Sequence, residues 1–115
     1  MTDEEIINKH NPGVRARARL ELQIVNKLIA VAHETGHTLR VMEYEEDNEG
    51  ELNYDVKMEL FDLDEANVRI YDSAGKYVGR VYLVFGNDGF DLISDYTLGA
   101  ETFLQPVLKL ADSLG

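Results

Sequence analysis

Apolar positions recur every three to four residues in two stretches of the chain and every second residue in several others. From Val14 to Thr35, Leu20, Ile24, Leu28 and Val31 follow the i, i+4, i+8, i+11 spacing, and Val25, Ile29 and Ala32 widen the stripe. That spacing predicts a long amphipathic helix, and Gly36 supplies the residue that commonly ends one. Near the C-terminus Phe103, Val107, Leu110, Ala111 and Leu114 give a second stripe. Thr102 and Gln105 precede it in capping-box spacing, which places Pro106 in the first turn, where its missing N–H costs nothing. Thr38 to Tyr44 alternates and reads as a strand. Val68 to Thr97 reads as three strands joined by the tight turns Asp72–Gly75 and Gly86–Gly89, because Gly, Asn and Asp between β-branched and aromatic runs mark hairpins. Val81 to Phe85 is apolar on both faces and is the expected central strand. In the last strand Phe90, Leu92 and Tyr96 are expected on one face and Asp91, Ile93 and Asp95 on the other.

Two segments are less regular. Residues 53–63 alternate like a strand, yet they are rich in helix formers behind Asn53, a plausible cap, and a short helix is the expected outcome. Thr2 to Glu5 fits a capping box for a short helix ending before Asn11-Pro12, and residues 1–13 form a segment free to fray. The elements sum to one acidic α+β domain over residues 1–115, in the order αβαβββα. A four-stranded, mainly antiparallel sheet carries the first and last long helices on one face.

Charge changes this picture more than length does. The 115 residues carry 22 acids against 11 bases, a formal net charge of −11. A field of that sign repels phosphate, so direct nucleic-acid binding is not expected, whereas docking on a basic surface is favoured. The acids concentrate at Glu43, Glu45, Glu46, Asp47, Glu49 and Glu51. Like charges at that density resist compaction, so residues 43–51 are expected to be a mobile surface loop. Their ordinary explanation is solubility; their functional one is contact with a basic partner. Arg15, Arg17 and Arg19 are the one anion patch the sequence offers, with pairing to nearby acids as the ordinary alternative. No cysteine is present, no run approaches a membrane span, and the opening MTDEEIINKH lacks the apolar region of a signal peptide. A soluble cytoplasmic protein without membrane partners is the simplest expectation.

The block YDSAGKYVGRVYLVFGNDGFDLISDYT, with its GNDG turn and ISDYT strand end, resembles a segment of small hypothetical proteins of tailed phages and prophages. The similarity covers residues 18–114 and is specific in the meander. It implies a phage or mobile-element origin and an interaction or inhibitory role, and it implies no catalytic or binding residue.

One motif could carry catalysis. His33-Glu34-Thr35-Gly36-His37 matches H-E-x-x-H, the pattern in which two histidines one helical turn apart ligate zinc and the glutamate activates water. His33 and His37 would be the ligands and Glu34 the base. The extended pattern is not met, since Arg40 and Glu43 stand where it has Gly and His, and a third ligand would have to come from elsewhere, with Glu59 as one option. Gly36 also argues that the helix ends inside the motif. Asp91 and Asp95, on one face of a strand, would stand about 13 Å apart, too far to share a cation. Tyr71, Tyr77, Tyr82 and Tyr96 could form an aromatic surface, interleaved with acids rather than bases. The expected function is therefore a non-enzymatic phage accessory protein that binds a basic protein partner through its acidic surface and needs no cofactor. A compact zinc hydrolase, with zinc as cofactor, and a small-molecule-binding module are the alternatives.

Overall fold

A computed structural model describes residues 3–8, 10–42, 49–52 and 64–115, and of residues 49–51 it describes the backbone. The apolar stripe of the first half forms helix α2 (Arg15–Thr35), preceded by α1 (Asp3–Asn8) and a 3₁₀ turn at Pro12–Val14. Five antiparallel strands follow: β1 (Thr38–Met42), β2 (Glu49–Glu51), β3 (Glu65–Tyr71), β4 (Tyr77–Val84) and β5 (Ile93–Tyr96). They are ordered β2-β1-β3-β4-β5 across the sheet. A 3₁₀ turn at Leu98–Ala100 leads into the last helix, α3 (Glu101–Leu114). The α+β class, the antiparallel sheet and the chain order of its elements agree with the sequence pattern. Four strands are those expected; β2 is a three-residue addition at the edge. The short helix expected over 53–63 lies outside the described residues.

Alternation along the strands decides which face is dry. Ala66, Val68 and Ile70 of β3 are buried, as are Val81 and Leu83 of β4 and Leu39 of β1. Register aligns them in rows, with Leu39 beside Ile70 and Val68 beside Val81. Over these rows lie Ile24, Val25, Leu28, Ile29, Val31 and Ala32 of α2 and Phe103, Leu104, Val107 and Ala111 of α3, forming one hydrophobic core. Both long helices thus cover the same face. Each fully buried Leu or Ile contributes about 1.5–3 kcal/mol relative to exposure, so this layer dominates stability.

Four local expectations change. α1 is docked rather than frayed: Ile6 and Ile7 are buried against Leu22 on the far side of α2. The acidic segment 43–51 is not wholly a loop, because Glu49–Glu51 pairs with β1. β5 begins only at Ile93, Phe90 and Asp91 belong to the preceding turn, and a register shift between Tyr82 and Leu83 brings Ile93 as well as Tyr96 against the core. In α3 the preceding 3₁₀ turn lets the helix start at Glu101, so Thr102 is not its cap and Pro106 falls inside, beyond the first turn. The Gly86–Gly89 turn folds back on the start of α2. Gly89 has φ +95°, and a Cβ there would lie 2.9 Å from both the Arg17 carbonyl oxygen and Leu20 Cβ, so only glycine fits.

Candidate functional site

The H-E-x-x-H segment is divided between two kinds of structure. His33 and Glu34 occupy the exposed last turn of α2, and Gly36, at φ +73°, turns the chain out of the helix. The His37 N–H closes the end by donating to the Ala32 carbonyl at 2.8 Å. One helical turn therefore does not separate the two histidines, and the geometry zinc needs from this motif is not met. His37 has local partners instead. Its ring lies 4.9 Å from the Phe103 ring, tilted by 43°, and its Nδ1 is 2.7 Å from Thr35 Oγ1. The Thr35 hydroxyl donates its one proton to the Val31 carbonyl, so Nδ1–H of His37 is the donor to Thr35. Among the described residues no three His, Cys, Asp or Glu gather as metal ligands; Glu59 lies outside them.

The acidic segment is described only at its end. Glu43, Glu45, Glu46 and Asp47 lie outside the described residues. Glu49 and Glu51 are backbone partners of Met42 and Arg40, so this end of the run is fixed in register along the sheet edge. Asp88 and Asp91 belong to the turn before β5, where the Asp88 N–H donates to Asp91 Oδ1 at 3.2 Å. Asp91 is thus not on the strand that holds Asp95, and the two do not share a strand face.

The arginines near the start of α2 follow their ordinary explanation. Arg15 donates to the His10 carbonyl at 3.2 Å, and Arg19 bridges to Glu4 of α1 at 3.0 Å. Arg17 Nε sits 3.4 Å from Glu21 Oε1, close enough for charge attraction but without a hydrogen bond's geometry. Glu21 is only 1% exposed, and its other oxygen accepts the Gly86 N–H at 2.9 Å, tying α2 to the GNDG turn. Burial pushes the Glu21 carboxyl above its usual range, while the Gly86 N–H and the charges of Arg17 and His10 pull the other way.

A second arginine group, which the sequence reading did not contain, lies on the sheet face opposite the helices. Arg40, Arg69 and Arg80 are direct register partners across β1, β3 and β4. Each alternates with buried residues of its strand, so all three belong to the polar face. Tyr71 stands two positions from Arg69 on that face, and its ring meets the Tyr77 ring edge-on at 5.9 Å. On the other side of the row the Tyr82 hydroxyl donates to the Glu65 carboxylate, and Asp95 is the register partner of Tyr82. Three tyrosines of the predicted aromatic surface thus flank a row of bases, and Tyr96 leaves it for the core. Strand pairing creates this row, and the positions are 29 and 11 residues apart in the chain, so no local motif announces it.

Comparison of the chain with known protein families, curated proteins and solved structures found no match. Among the described residues no helix is long and apolar enough to cross a membrane.

Proposed function

We propose that this is a non-enzymatic phage or prophage accessory protein that docks on the basic surface of a protein partner. The acidic run Glu43, Glu45, Glu46, Asp47, Glu49 and Glu51 is the contact. The observation that carries this reading is the pairing of Glu49–Glu51 with β1. It fixes the backbone at one end of the run in register along the edge of the sheet. Among the described residues β2 is the outermost strand, and a strand at a sheet edge can pair with an extended partner. With a net charge of −11, the chain's field would steer a cationic surface toward this edge. The resemblance of the GNDG meander to phage proteins supports the origin. The broken helical geometry at His33 and His37 favours binding over zinc hydrolysis.

The test is capture from host lysate followed by kinetics with the purified partner. Association should slow steeply as salt rises, because exposed charges are screened over about 8 Å at physiological ionic strength. Replacing Glu45, Glu46, Asp47 and Glu49 by Gln or Asn should slow it at low salt and leave the unfolding midpoint in place. A partner whose association ignores both changes would exclude the acidic edge as the contact.

A further inference from the structure

Among the described residues the sheet has two outermost strands, β2 and β5. An outermost strand presents N–H and C=O groups that another strand can pair with. Proteins shield such edges with short strands, irregular pairing and charged side chains. β5 carries all three: it has four residues, its register with β4 shifts between Tyr82 and Leu83, and Asp95 is exposed on it. The Asp95 side chain also makes a specific contact. The Thr97 N–H donates to the Arg80 carbonyl at 3.0 Å, so the Thr97 backbone faces β4. Backbone groups of successive strand residues point to opposite sides, which turns the Tyr96 N–H outward, away from β4. Asp95 Oδ1 accepts that N–H at 2.8 Å. A strand pairing with Tyr96 has to displace this carboxylate first. Leu98, two residues beyond β5, is 87% exposed, an apolar group that an added strand could cover.

We propose that Asp95 is a guard that keeps a second copy of this chain from adding to the sheet through β5. Self-pairing is the arrangement such an edge invites, because a two-fold axis sets the same strand of two molecules antiparallel. Asp95 opposes it in two ways. Its carboxylate occupies the outward Tyr96 N–H, and pairing about the axis brings the Asp95 of each copy toward that of the other, where like charges repel. The net charge of −11 on each copy adds a general repulsion, but salt screens it over about 8 Å at physiological ionic strength. The hydrogen bond does not depend on salt, so the guard is local. β5 and β2 lie at opposite ends of the sheet, and the guard does not depend on what the acidic run binds.

Asp95→Ala and Asp95→Asn in the full chain test it at physiological salt. The measurements are amide exchange of Tyr96 in dilute protein and sedimentation over a concentration series. Slow exchange at Val81 and Leu83 reports that each variant is folded. Asp95→Ala should speed Tyr96 exchange roughly two- to tenfold, the loss of one hydrogen bond. It should also dimerise at lower concentration than the natural chain, with Tyr96 protected again in the dimer. Asp95→Asn keeps a carbonyl acceptor and loses only the charge, so its Tyr96 exchange should stay near the natural rate and it should dimerise less than Asp95→Ala. Unchanged Tyr96 exchange in folded Asp95→Ala would overturn the guard, as would an Asp95→Ala chain that associates no more than the natural one. Dimers whose Tyr96 amide still exchanges fast place the contact elsewhere and overturn it as well. Equal dimerisation of Asp95→Asn and Asp95→Ala overturns the hydrogen bond as what closes the edge.

Discussion

The chain holds two sets of three arginines, and they have opposite fates. Arg15, Arg17 and Arg19 are neighbours in sequence, yet each takes a different partner: a backbone carbonyl, a buried glutamate and an acid on another helix. Arg40, Arg69 and Arg80 are scattered in sequence, yet the sheet lines them up on one face. Clustering along the chain is thus a poor guide to clustering in space. On a helix, alternate residues point in different directions. Across a sheet, register brings distant residues side by side. The first set ties neighbouring elements together locally; the second is brought together by strand register alone.

The largest effect should come from the residue next to a member of the second set. Ile70 is fully buried between Arg69 and Tyr71, and Ile70→Ala should cost about 2–5 kcal/mol, read by denaturant unfolding. A change at Arg69 or Arg80 should cost far less. Similar losses at adjacent positions would mean that the two faces of β3 are not as different as their burial indicates.

The first set makes its strongest claim through Glu21. Glu21→Ala would remove the acceptor of the Gly86 N–H and the charge partner of half-buried Arg17, and should cost about 1–3 kcal/mol. Glu21→Gln keeps an acceptor for Gly86 and removes the charge, so it should cost much less. The sign of the pH dependence follows from burial. The folded protein holds the carboxyl above its usual range, so the unfolded chain releases this proton first as pH rises. Below the ordinary carboxylate value the neutral side chain contributes its full stability. That contribution is lost as pH rises through the raised value. The stability of the natural protein relative to Glu21→Gln should therefore fall across that window and level off above it. A relative rise over the same window would mean that Arg17 and Gly86 outweigh burial.

What could be read in the sequence was what is local. The stripe of α2, the hairpin turns and the end of the helix at Gly36 each depend on residues a few positions apart. The helix end at Gly36, which separates His33 from His37, is legible in the same way. The arginine row depends on which strands pair and in which register. The alternation of Thr38 to Tyr44 and Val68 to Thr97 does not state that. Strict alternation puts Ile93 on the face of Asp95, but an irregularity between β4 and β5 breaks the period of two and turns it toward the core. Pro106 lies deeper in α3 than the Thr102 capping box implies, because a 3₁₀ turn without a sequence signal of its own leads into the helix. The docking of α1 has no local signal, because Ile6 and Ile7 are buried against Leu22, fifteen or more residues away.

Removing a member of the second set should relieve repulsion. Arg80→Gln is expected to leave stability unchanged or raise it by about 0.2–1 kcal/mol. The gain should shrink at high salt, where repulsion between exposed groups is screened. A loss above about 1 kcal/mol, on the scale of a buried contact, would place Arg80 with the structural arginines and blur the contrast.

The smallest effect should come from Arg19, and it tests whether the first set matters equally throughout. Its bridge to Glu4 joins α1 to α2 at 3.0 Å, but both side chains are more than half exposed, at 53% and 66%. Exposed pairs of this kind contribute about 0–1 kcal/mol, because water already solvates both groups and ordering two long side chains costs entropy. α1 is held chiefly by Ile6 and Ile7, which are 1% and 3% exposed, with the Asn26 amide adding a hydrogen bond to Asp3 at 2.9 Å. Arg19→Ala should therefore speed amide exchange in α1 only slightly, by less than about fivefold, the equivalent of 1 kcal/mol of local opening. Ile6→Ala should release the helix and raise exchange across all its amides while leaving Val81 and Leu83 protected. If Arg19→Ala released α1 as fully as Ile6→Ala, the ion pair and not the apolar contact would be what docks it. The first arginine set would then include an exposed residue that matters as much as half-buried Arg17.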